Sequence, residues 1–411
     1  MFYLTGVFIV CVLFSAIQLT AMAQSVNISE PLPPSTAVRE TFNLDPFYEQ
    51  SLDVEGLPVV ASAKVSPYAL KEAAWLIQQM VGHRRDILQA LGKNNVRFAV
   101  MAHNELTTQI PEHSDLQPDY YWDRRARGLG STPSRPAVSC GEENLLNYEG
   151  DPYSTENILV HEFAHAIHQM GLNTVDPSFD ERLKGLYDAA VEKGLWKDTY
   201  AITNRAEYWA EGTQSWFDTN RANDDQHNHV DTRDKLKEYD PTLAALLTEI
   251  YGDMDWRYTQ AITRTHLVHL HGFNPEDSPK FEWPAELIEL TEFHQQLKNP
   301  DSDGGGKWVN LDKHDPSLLP NLRSGGSDTE TAIIFVNGTK AEITYYWIDD
   351  KGDEKYYGKI AVDTFVNQHT FAGHIWLIKD TNRDNLSVFR AEGKTGRAFV
   401  GAEPLIREKL E

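Results

Sequence analysis

The segment that most constrains this chain is ILVHEFAHAI, Ile158 to Ile167, where two histidines and a glutamate interrupt an otherwise apolar run. From Ser154 the pattern is helical, and a helix carrying Ile158, Leu159, Phe163, Ala164 and Ile167 must be largely buried. Ionisable groups carried into such a position cost free energy unless something compensates them. His161 and His165 stand four residues apart, so both imidazoles leave one face of the helix a turn apart and can grip one ion. Such a pair is a natural zinc chelate. Glu162, next to the first histidine, is placed to take the proton of a metal-bound water whose pKa has fallen to roughly 7.

A catalytic zinc takes a third protein ligand and keeps one position open. Gly171 has no side chain to offer, and His168 lies two turns from His161, which suits packing or an indirect role. The next candidates are in NRAEYWAEGTQSWF, Asn204 to Phe217, which reads as a second buried helix bearing Glu207 and Glu211 one turn apart. Two acids on one face of an aromatic helix are costly unless they meet a cation. A rival reading is a secreted binding protein with a purely structural zinc; a structural site, however, is closed by a fourth ligand and needs no base such as Glu162.

The two motifs together resemble the gluzincin metallopeptidases, nearest the catalytic domains of anthrax lethal factor and the pro-Pro endopeptidases. The resemblance covers about Leu57 to Gly252 and rests on HEFAH and EYWAE. It implies an α+β zincin-like domain, a small sheet with a mostly helical subdomain, that hydrolyses peptide bonds. It also implies Glu207 as third zinc ligand and Tyr200, seven residues earlier, as donor to the oxyanion; His227 or His229 is the alternative donor to that assignment. Glu211 would accept a hydrogen bond from a zinc-bound histidine and set its tautomer.

The remaining pattern frames that domain. Leu57 to Ala63 and Val96 to Met101 read as strands on either side of a helix entered at Ser66 and Pro67 and running to Leu91, a crossover unit that implies a parallel pairing. Further helices are expected to stop at Gly171, Gly194 and Gly252 and to start at Asp240 and Pro241. Glycines and aspartates between about Asn299 and Asp328 mark a linker; Asp301, Asp303 and Asp312 only partly mimic a calcium loop, and a flexible loop is the reading adopted. Beyond it, TAIIFVN, AEITYYWI and HIWLIKD alternate with turn residues at the spacing of an all-β sandwich.

That sandwich resembles the von Hippel–Lindau β-domain over about Asn321 to Phe399. The likeness is carried by NLRSGGSDTETAIIFVNGT, the Trp347 strand and HTFAGHIWLIKD. It implies a pocket for a 4-hydroxyproline ring formed by Trp347, Tyr357, Thr370, His374 and Trp376, with Thr370 standing where the family has serine. Aromatic faces suit a flat pyrrolidine ring, and Thr370 with His374 suits its hydroxyl. The expected partner is therefore a proline- or hydroxyproline-rich protein or peptide.

The apolar run Val7 to Leu19, closed by Ala21-Met22-Ala23, reads as a signal peptide cleaved after Ala23, so the protein is expected to be secreted and to lack a membrane span. Cys140 is then the one cysteine of the mature chain, which excludes an intramolecular disulfide. A formal charge of -23 argues against nucleic acid as a partner. Sequons stand at Asn27, Asn337 and Asn385. The expected organisation is signal peptide 1–23, extension 24–52, zinc metallopeptidase domain 53–298, linker 299–320, β-sandwich 321–402 and tail 403–411.

Overall fold

The computed structural model describes residues 28–298, 309–325 and 329–401. The leader 1–23, the sequon at Asn27, residues 299–308 of the expected linker and the tail 403–411 lie outside the described residues.

The first unit is built on a five-stranded sheet in the order β1-β2-β3-β5-β4. Its strands are β1 (Gln50–Val54), β2 (Leu57–Ala61), β3 (Arg97–Met101), β4 (Gly128–Leu129) and β5 (Ala137–Gly141). β2, β3 and β5 run parallel, and antiparallel strands flank them on both edges. The expected crossover is present, although its helix is broken into α1 (Pro67–Val81) and α2 (Arg85–Lys93). Ser66 precedes α1 without a side-chain cap; its backbone N–H donates instead to Glu142.

Alternation along the strands explains why the sheet is buried on both faces. Val59, Ala61, Phe98, Val100, Val138 and Cys140 point into the main core. Val60, Ala99 and Met101 point the other way, where Phe42, Leu44, Tyr48 and Ile110 cover them. From residue 28 the expected extension 24–52 packs on this unit: β1 pairs with β2, Leu32 bridges to Ser51, and the segment Phe42 to Tyr48 seals the far face of the sheet. Its apolar residues are few and irregularly spaced, so their burial is set by the sheet they cover.

Helices fill the near face. α3 (Asp119–Arg125) leads into β4, and α4 (Glu142–Leu145) follows β5. α5 (Ile158–Ala166) carries the HEFAH motif, capped by Asn157, and α6 (Arg205–Trp216), capped by Asn204, crosses it with the Trp209 indole donating to the Ala164 carbonyl at 3.0 Å. Gly171 does not stop α5: the chain continues through a π-helical stretch, Ile167–Leu172. A Cβ at Gly171 would stand 2.9 Å from Ile87, so the glycine serves close approach to α2. α7 (Phe179–Glu192) ends before Gly194, and α8 (Arg233–Tyr239) and α9 (Pro241–Tyr251) meet at Asp240, which caps the latter at Leu243 as expected.

The second unit is all β. Sheets β10-β7-β13-β6 and β12-β11-β8-β9 face each other across Ile333, Phe335, Ala398 and Val400 on one side and Ile343, Tyr345, Trp376, Ile378 and Phe389 on the other. The strands are β6 (Val309–Asn310), β7 (Glu330–Gly338), β8 (Ile343–Ile348), β9 (Glu354–Ile360), β10 (Phe365–Phe371), β11 (Ile375–Lys379), β12 (Asn385–Arg390) and β13 (Gly396–Gly401). Within the expected linker 299–320, residues 309–320 join this unit: β6 pairs with β13, Leu311 enters the core, and Leu319 packs against the cluster of Ile348, Ile375, Leu377 and Val388. At the Asn337 sequon the side-chain amide is buried and donates to the Ala341, Ile360 and Ala361 carbonyls.

Arg127 pins the corner of the first unit that leads into β4. Fully buried, it donates through Nε and Nη2 to Glu143 at 2.6 and 3.0 Å and through Nη2 to the Ala102 carbonyl at 3.1 Å. Arg127→Met removes the cation and leaves Glu143 buried and unpaired. The substitution is expected to lower unfolding free energy by about 3–5 kcal/mol, read as a fall in the urea midpoint.

Candidate metal centre

α5 and α6 position the site because each is anchored at its N-terminus by an asparagine cap and buried on its apolar side, leaving one polar face of each turned toward the other. Nε2 of His161 lies 3.2 Å from Nε2 of His165 and 3.1 Å from Oε2 of Glu207, and His165 Nε2 lies 3.3 Å from the same oxygen. Among the described residues these three form the one cluster whose donor atoms all fall within 4.8 Å of each other. The two histidines are 8% exposed, so the triangle is nearly closed on the protein side.

Two ring nitrogens and a carboxylate oxygen at 3.1–3.3 Å from one another need a proton or a cation among them. Those separations match neighbouring ligands on a tetrahedral ion with bonds of about 2.0–2.1 Å, for which geometry gives roughly 3.3 Å. Two imidazoles and one carboxylate are a donor set suited to zinc.

The electrostatics follow from the same contacts. Burial would raise the Glu207 carboxyl, but His165 and His161 beside it hold it well below the usual carboxylate range. Burial likewise pulls His161 down, and its hydrogen bond to Glu207 with the charges of Glu162, Glu207 and Glu211 more than reverses this, leaving the ring raised. Burial pushes Glu162 up, against the pull of the two histidines. Burial, helped by Glu207 and Glu162, also raises the Tyr200 phenol, while Arg125, which donates to its oxygen, opposes the rise. A neutral phenol with an available proton results.

These groups share one cleft of about 680 Å³, lined by His161, Glu162, His165, Tyr200, Glu207 and the segment Arg127 to Thr132, which contains β4. Tyr200 stands with its ring centroid 6.4 Å from that of His161. Of the alternative donors, His227 lines the cleft but has both nitrogens engaged, by Asp224 at 2.9 Å and Glu211 at 3.3 Å. His229 is stacked edge-on against Tyr239, and His168 pairs with Asp180 at 2.9 Å, so neither reaches the triangle.

One placement differs from expectation. Glu211 Oε1 is 3.5 Å from His161 Nδ1, whereas Gln214 Oε1 is at 2.8 Å and takes the hydrogen bond. Glu211 is turned to His227 and to Asn220, 3.0 Å from its Oε2. Gln214 was missed because an amide at the seventh position after Glu207 carries no charge to flag it, although seven residues is two turns and the same face.

In the β unit the five expected pocket residues converge from four strands and the turn before β11. Trp376 Nε1 donates to Thr370 Oγ1 at 3.0 Å, Thr370 Oγ1 lies 3.1 Å from His374 Nδ1, and the His374 ring is 5.2 Å from Trp347. Tyr357 meets Trp376 edge-on at 4.8 Å. Trp376 and Thr370 are buried while Tyr357 is exposed, so the group forms a floor of core residues with its open side at Tyr357 and His374.

The C-terminal unit can be placed. Residues 322–393 match the VHL beta domain. This VHL-like unit spans β7 to β12, with β6 and β13 completing its first sheet outside the match. No curated protein matches the chain. No helix among the described residues is long and apolar enough to cross a membrane.

The cleft owes its depth to two glycines. A Cβ at Gly128 would stand 2.4 Å from the Ile158 side chain and 3.1 Å from Glu162 Cγ, and one at Gly130 would stand 2.8 Å from His165 Cβ. Gly128→Ala is therefore expected to push β4 away from α5 and to cost about 1–3 kcal/mol by overpacking, measured as a lowered Tm.

Proposed function

We propose that this protein is a secreted zinc-dependent endopeptidase of gluzincin type whose VHL-like unit holds proline- or hydroxyproline-rich protein. The observation that carries the first half is the triangle of His161, His165 and Glu207 beside Glu162 in one cleft. A zinc ion held by those three residues supplies a Lewis acid. Glu162, raised by burial, is the base that removes a proton from the attacking water and returns it to the departing amine. Tyr200 offers its O–H to the carbonyl oxygen as negative charge develops there, and Arg125 strengthens that donor by polarising the phenol. β4, the terminal strand of its sheet, runs along the cleft and offers a backbone edge on which an extended peptide adds as a further strand.

The second half rests on the chain of contacts from Tyr357 through Trp376, Thr370 and His374 to Trp347. A hydroxyl entering beside Thr370 and His374 finds a donor and an acceptor already aligned, and the tryptophans and Tyr357 supply faces for the ring. Tethering this unit to the peptidase raises the local concentration of substrate at the cleft. Removal of residues 1–23 on export completes the reading.

Zinc content and peptide hydrolysis of purified variants test the catalytic half. His161→Ala, His165→Ala and Glu207→Ala should lose zinc, and Glu162→Gln should keep it while hydrolysis of a peptide library falls about 10²–10⁴-fold. Tyr200→Phe should cut kcat about 10²-fold with zinc retained. Zinc retained in Glu207→Ala, or full turnover in Glu162→Gln, refutes the assignment, and zinc bound without any hydrolysis returns the site to a structural role.

Calorimetry on the full chain tests the other half. A hydroxyproline peptide should bind more tightly than its proline twin by about 1–3 kcal/mol, the cost of leaving the Thr370 and His374 groups unmatched. His374→Ala should erase the difference without altering zinc content. Equal affinities in the unaltered chain refute the hydroxyproline reading.

A further inference from the structure

We infer that Gln214, held in one orientation by Glu156, sets the tautomer of His161, and that Glu211 instead ties down the loop Asp218 to Asp231. The inference rests on the metal reading of the triangle and goes beyond it in naming what aims the first ligand.

The orientation of the Gln214 amide follows from its neighbours. Its nitrogen faces two acceptors, Glu156 Oε2 at 3.0 Å and the Asn157 carbonyl at 3.4 Å, and neither can donate in return. The amide oxygen must therefore be the atom that meets His161 Nδ1 at 2.8 Å. An oxygen there accepts, so Nδ1 keeps a proton, and in the neutral ring it is Nε2 that turns its lone pair toward His165 and Glu207. Gln214 is fully buried. Arg221, in turn, reaches Glu156 at 3.5 Å and Asp224 at 2.8 Å, anchoring the relay at the mouth of the cleft.

Glu211 is occupied elsewhere. His227 Nε2 and Asn220 Nδ2 lie 3.3 and 3.0 Å from its Oε2, and Ser215 bridges Asn220 to the Val230 carbonyl. Both ends of the loop thus converge on Glu211. A neutral amide behind His161 also leaves the ligand set one negative charge poorer than a carboxylate partner would, which makes the held cation the stronger acid.

Zinc affinity of the full chain, measured by competition with a chromophoric chelator, reads the proposal without any substrate. Gln214→Met should weaken zinc about 10–100-fold, and the double variant Gln214→Glu with Glu156→Gln, which swaps the charge within the pair while keeping an acceptor at His161, should restore it to within about threefold. Glu211→Gln should leave zinc affinity within about threefold but lower the Tm of the metal-free protein. If Gln214→Met binds zinc as tightly as the unaltered chain, or Glu211→Gln costs as much as Gln214→Met was expected to, the assignment to Gln214 fails and the metal reading stands. An unaltered chain that takes up no zinc overturns the metal reading and this inference with it.

Discussion

The cost of carrying two imidazoles and a carboxylate into a buried helix governs the architecture of the first unit. α5 cannot present His161 and His165 to the core as bare polar groups, so a second helix must bring partners to the same face. α6 does this with Glu207 against the Nε2 atoms and Gln214 against His161 Nδ1, while Tyr208, Trp209 and Trp216 on its other faces are buried. The sheet behind α5 is covered on both sides, which keeps that helix from tilting away from α6.

Satisfaction then spreads outward in a chain. Gln214 needs Glu156, Glu156 meets Arg221, Arg221 meets Asp224, Asp224 meets His227, and His227 returns to Glu211 on α6. Such a ring couples the order of the cleft wall to the order of the histidine face. β4 lies on the opposite wall, brought close by Gly128 and Gly130 and held by Arg127. The cleft is therefore the gap between a polar ring and a strand edge.

The VHL-like unit solves a similar problem on a smaller scale. Trp376 and Thr370 belong to different sheets, and the indole N–H reaches across to the hydroxyl, so a polar contact closes the end of the sandwich where aromatic packing stops. Trp347 faces Trp376 across paired strands because residues directly opposite in an antiparallel pair share a face.

Local pattern by itself determined the helix bearing His161 and His165, since a spacing of four and the apolar run around it need no distant partner to be read. It also determined the parallel crossover of β2 and β3, the all-β character beyond residue 329, and a second helix with an acid facing inward. Segments whose burial depends on another element were not legible: residues 28–49 covering the sheet, and Val309–Asn310 joining β13 rather than a linker. The resemblance placed Glu211 behind His161, and only the crossing of α5 over α6 decided for Gln214, because a shift of one turn along a buried helix exchanges one partner for the other without changing its periodicity.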